Sequence, residues 1–80
     1  MTREEFVYEM RKAEVYRNMG ERPEYWAGYI RGIRRNYHGE NFGTSQEHTL
    51  WLSLAGGEDE SHQDRGQGYR AGLDFKGASK

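Results

Sequence analysis

The chain has 80 residues, enough for one domain with a thin core, and 34% of them are hydrophobic against 31% charged. The formal net charge of −1 excludes a global field that favours nucleic acid, and the absence of cysteine excludes disulfides and thiolate metal sites, as suits a cytoplasmic protein. A mean hydropathy of −1.17 leans towards disorder, but six Tyr, three Phe and two Trp supply large side chains that can hold a small core together. Met1-Thr2-Arg3-Glu4-Glu5 lacks the apolar centre of a signal peptide, and no apolar run approaches the length that crosses a bilayer. So thin a core leaves monomer and homodimer both open, with a partner that completes the core as a further option.

Thr2-x-x-Glu5 reads as a capping box that opens a first helix, and Gly20 as its stop, so the expected helix runs from Arg3 to Met19. At 100° per residue Phe6, Met10 and Ala13 share one face, while Tyr8, Val15, Tyr16 and Met19 gather on nearly the opposite one. A helix apolar on two sides is either sandwiched or carries an interface. Pro23 suits the first turn of a second helix, expected to continue to Tyr37 and to stop at Gly39. Tyr25, Trp26, Tyr29, Ile30, Ile33 and Tyr37 make its apolar arc, with Arg31, Arg34 and Arg35 on the remaining arc, facing water or a partner.

The segment from His38 to Gly43 reads as an ordered turn pinned by Phe42. A second capping box, Thr44-x-x-Glu47, opens a third helix through Leu54 or Ala55, with Leu50, Trp51 and Leu54 as its buried face and Gly56-Gly57 as its end. Asp59 or Ser61 caps a fourth helix that continues through Leu73, with Phe75 as a last anchor. No segment alternates as a strand does. The expected fold is all-α, a bundle of four short helices forming a single domain over residues 1–75, followed by a disordered tail over 76–80.

The string Gly-Tyr-x-x-Gly occurs twice, as Gly28-Tyr29-Ile30-Arg31-Gly32 on the second helix and Gly68-Tyr69-Arg70-Ala71-Gly72 on the fourth. Each glycine costs about 1 kcal/mol relative to alanine inside a helix, so the repeat needs a reason. Glycines four apart lie on one face and let another backbone approach, which predicts that helices two and four cross at their glycines about a local pseudo-twofold. A phosphate loop is the lesser reading, because Gly66-x-Gly68 has no preceding strand and no third glycine at the dinucleotide spacing. Tyr29 and Tyr69 are then expected as buried rings whose hydroxyls reach the surface.

The chemistry-bearing residues are sparse. His38, His48 and His62 have no i, i+4 partner, so no zinc site is expected; His48 can instead hydrogen-bond to another helix. Glu58, Asp59 and Glu60 form an acidic run that suits a helix N-terminus or, together with Asp64, an acidic knob docking on a basic surface. Arg31, Arg34 and Arg35 form the best basic patch, with Tyr37 beside them able to stack on a base. No arrangement points to catalysis or to a cofactor.

The run from Tyr25-Trp26-Ala27-Gly28-Tyr29 through His38-Gly39, Phe42-Gly43-Thr44, Glu47-His48 and Trp51-Leu52 to Gly68-Tyr69-Arg70 resembles small phage and prophage accessory proteins of proteobacteria, some of which are anti-CRISPRs. The resemblance implies a non-enzymatic inhibitor in the cytoplasm of a bacterial host, which binds a host complex such as a type I CRISPR surveillance complex and blocks DNA binding or nuclease recruitment. Arg31, Arg34, Arg35, Glu58, Asp59, Glu60 and Asp64 are the partner-binding candidates from the residues themselves. The alternative is a small nucleic-acid-binding or transcription-regulatory protein that uses the arginine face of helix two.

Overall fold

The computed structural model describes residues 1–39 and 42–76, and among them it has four α-helices and no strand. They are α1 (Arg3–Asn18), α2 (Pro23–His38), α3 (Ser45–Leu54) and α4 (Glu60–Leu73). The helix starts follow the side-chain chemistry. The Thr2 hydroxyl accepts from the Glu5 N–H at 3.1 Å while the Thr2 N–H donates to the Glu5 carboxylate at 2.8 Å, and Thr44 and Glu47 repeat the exchange at 3.1 and 3.0 Å. Asp59, rather than Ser61, caps α4, accepting from the Ser61 and His62 N–H groups. The turn before α2 is the strained one: Arg22 adopts φ +51°, a left-handed conformation disfavoured for a residue with a Cβ, and only then does Pro23 open the helix.

The architecture turns on the contact between α2 and α4. A Cβ on Gly28 would come 2.8 Å from the Arg65 carbonyl carbon and 2.9 Å from the Tyr69 nitrogen. One on Gly68 would meet the Tyr25 carbonyl carbon and the Tyr29 nitrogen at the same two distances. Gly32 and Gly72 continue the pattern one turn on: a Cβ there would come 3.0 Å from the Tyr69 carbonyl carbon and 2.6 Å from the Ile33 nitrogen respectively. Gly28 is thus level with Gly68 and Gly32 with Gly72, so the helices run parallel and meet backbone to backbone about a local twofold. The glycines of α4 cost intrinsic helix stability, and close backbone packing along both helices offsets that cost.

Each seam helix carries one outer helix: α1 packs on α2, and α3 packs on α4. Ala13, Tyr29 and Ile33 form the buried centre, with Phe6, Met10, Trp26, Ile30, Ala71 and Phe75 packed against it. Gly66 admits the end of α3, since a Cβ there would come 2.7 Å from the Ala55 Cα. The Cα extents of 36 × 31 × 19 Å describe a slab with α1 and α3 at its margins. Each of these has a face that no other helix covers.

Two packing expectations change. Leu50 is not part of the buried face of α3: it is 57% exposed, while Trp51, Leu52 and Leu54 are partly buried. The Tyr29 and Tyr69 hydroxyls do not reach the surface, because each meets a polar group of an outer helix. The expected disordered tail lies, beyond the exposed Lys76, outside the described residues.

Candidate interaction surface

The hydroxyls lie where each outer helix joins the seam. Tyr29 donates to Glu9 Oε1 on α1 at 2.6 Å, and Lys12 Nζ stands 2.8 Å from the same oxygen. Glu9 is only 6% exposed, so this pair keeps a carboxylate partnered inside the protein. Burial above all, then the bond to Glu9, pushes the Tyr29 hydroxyl well above its ordinary titration range. Tyr69 meets His48 Nδ1 on α3 at 2.7 Å, and burial raises its pKa too, partly opposed by the positive charges of Arg35 and Arg31. The space bounded by Arg31, Arg35, Thr44, Glu47, His48 and Tyr69 has no room for a water molecule. These groups lock helices together.

The arginines of α2 separate. Arg31 turns inward under α3: its Nη2 lies 3.2 Å from Glu47 Oε2, and its guanidinium sits 5.1 Å from the ring centres of both Phe42 and Trp51. Arg35 donates to the Phe42 carbonyl at 2.9 Å. Arg34 alone of the three is exposed, and it has no ion pair among the described residues. Tyr37 stacks on Phe6 at 4.4 Å, which covers one face of the ring. The basic stripe read from the sequence is therefore largely the glue between α2, α3 and the turn that joins them.

The acidic candidates divide as well. Asp59 caps α4, and Asp64 pairs with Arg22 of the α1–α2 turn at 3.0 Å. Glu58 and Glu60 project into solvent. Arg65 binds Glu24 on α2, a second charge pair between the α2 start and α4 ahead of the Gly28–Gly68 level. Among the described residues no group of three or more His, Asp and Glu is placed to hold a metal ion, and no helix is long and apolar enough to cross a membrane.

Among the described residues, the exposed large hydrophobic side chains other than Leu50 of α3 all lie on α1 or at its C-terminal cap. Tyr8, Val15 and Met19 are 64%, 57% and 60% exposed, with Val7 at the margin of this outer face. Tyr16, on the other margin, stacks on Trp26 at 4.9 Å and stays partly uncovered. Two open grooves of about 370 and 410 Å³ run along this face, one on each side of Tyr8 and Arg11. Isolated exposed apolar residues need no explanation, but a contiguous stripe with cations along it has the composition of an interface. The second apolar face read from the α1 sequence is this surface.

Two working residues escape a reading of the sequence. Glu9 lies between Phe6 and Ala13 on the core face of α1, and an acid on an apolar face was the signal for a buried partner. Asn36 follows Gly28 and Gly32 at the same four-residue interval, and its Nδ2 donates to the carbonyls of Gly72, Leu73 and Phe75 at 3.1, 3.0 and 2.7 Å. It closes the C-terminal end of α4 from the side of α2. No protein-family model, curated protein or solved structure matches the chain.

Proposed function

We propose that the protein is a non-enzymatic binding protein that acts by covering a surface of a larger host complex. The specific form that the resemblance read from its sequence implies is an anti-CRISPR of phage origin, directed at a type I surveillance complex. The observation that carries the binding reading is the outer face of α1, where aromatic, aliphatic and arginine side chains of the described residues stand exposed side by side. Aromatic and arginine residues dominate the binding energy of protein interfaces. The arginine face of α2 supports nucleic-acid binding less well, because Arg31 and Arg35 are engaged within the chain and Arg34 is left as a single contact.

The specific form is tested in a bacterium with an active type I CRISPR system. Expression of the chain should restore plaquing of a targeted phage, and Val15→Asp should abolish the effect while the protein stays folded. Unchanged plaquing with the native chain removes the anti-CRISPR form. The broader reading then rests on whether affinity capture from a host lysate recovers a protein whose retention depends on Val15. Binding to DNA or RNA that falls steeply with salt would instead favour the nucleic-acid alternative.

A further inference from the structure

The two grooves on α1 have a regular construction. Glu4, Val7, Tyr8 and Arg11 line the first, and Tyr8, Arg11, Lys12 and Val15 line the second. Each set is spaced i, i+3, i+4, i+7, the four-residue hole that receives one side chain of a facing helix in knobs-into-holes packing. The holes follow one another along the axis and share Tyr8 and Arg11. An extended segment would find no backbone partner here, because the peptide groups of α1 are paired within the helix, whereas an incoming helix satisfies its own. The shape therefore suits a helix.

Charge decides which helix. Arg3 and Arg11 border the grooves with no ion pair among the described residues, Lys12 adds a third cation beside its contact with Glu9, and Glu4 is the one acid in the lining. Two pairings of this face with a second copy set like charges against one another. An antiparallel pairing that seats Tyr8 against Val15 of the other copy brings Arg11 opposite the other Lys12, and a parallel pairing sets Arg11 against Arg11. Like charges placed opposite one another oppose association, and a carboxylate-bearing partner removes the conflict. Resting on the protein-binding reading above, we infer that the outer face of α1 is the docking site for an acidic amphipathic helix of another protein, with apolar side chains seated on either side of Tyr8 and carboxylates meeting Arg3 and Arg11.

The test is selection of a displayed library of amphipathic helical peptides, with random flanking positions, against the immobilised full chain. The expected outcome is enrichment of Asp and Glu beside the apolar seam, with affinity falling about tenfold or more in Arg11→Glu and in Val15→Asp. A twin of the selected peptide with Lys in place of each acid should then prefer the Arg11→Glu protein. Urea midpoints close to that of the native chain confirm that both variants are folded. Enriched helices without an acidic bias, or binding unaffected by Arg11 and Val15, overturn the acidic partner and leave the protein-binding reading standing. Sedimentation equilibrium that shows a dimer lost in Val15→Asp assigns the face to a second copy. Failure to enrich any peptide, whether or not phosphatidylserine vesicles bind through Arg11, overturns both this inference and the reading beneath it.

Discussion

The α2–α4 seam and the outer face of α1 are opposite uses of a helix surface. At the seam the side chains are reduced to hydrogen so that backbones touch, and a methyl group added at Gly28 or Gly68 lands on the facing helix's main chain. On α1 the side chains are large and exposed. Residues at the seam are fixed by the fold, and residues on the α1 face are not needed by it. The difference teaches where to look for function: stability should be lost at the first surface, and binding at the second.

The comparison is broken most severely by Gly68→Ala. The new Cβ meets backbone that cannot swing aside, so the loss should reach or exceed the upper end of the roughly 1–3 kcal/mol typical of overpacking, a large fraction of a small domain's stability. Urea denaturation reads it directly. Asn36→Ala should come next, at about 1–3 kcal/mol by the same measurement, because three partly buried carbonyls at the end of α4 lose their donor.

Tyr29 sharpens the comparison through pH. Its folded pKa is raised above the ordinary value of 10.0, so the folded state keeps the proton after the unfolded chain has begun to lose it. The Tyr29 contribution is fully present below about pH 10 and is lost as pH rises towards the folded pKa, so stability should fall on the alkaline side. Tyr29→Phe should shallow that fall and lower stability at neutral pH by about 0.5–1.5 kcal/mol through loss of the bond to Glu9, as thermal melts across an alkaline series would show. Val15→Asp and Arg34→Ala should each change stability by no more than about 0.5 kcal/mol, since neither residue is covered by the fold. Of the two, only Val15→Asp should abolish partner binding.

Much of the fold was legible in the sequence because its strongest signals are local. Two capping boxes, Pro23, Gly20 and Gly39 mark helix ends within a turn of their own positions, and the repeated Gly-Tyr-x-x-Gly predicted both which helices meet and that they meet by a pseudo-twofold. The site was less legible because it depends on what α3 covers. Arg31, Arg34 and Arg35 look alike on a helical projection, and only the fold shows that Glu47, Phe42 and Trp51 draw two of them inward. Leu50 fails for the reverse reason: α3 is short and lies at the margin, so an apolar residue at the expected interval has nothing to pack against. The hydroxyls of Tyr29 and Tyr69 required knowing which polar groups on α1 and α3 would face them, a long-range fact that helix periodicity does not encode.

The contrast between the two surfaces is tested most directly by urea unfolding of Gly68→Ala beside Tyr8→Ser under one set of conditions. The expected result is a midpoint lowered sharply, or folding lost, in Gly68→Ala and a midpoint close to the native one in Tyr8→Ser. A native-like midpoint in Gly68→Ala, or a collapse in Tyr8→Ser, would contradict the assignment of the seam to structure and of the α1 face to binding.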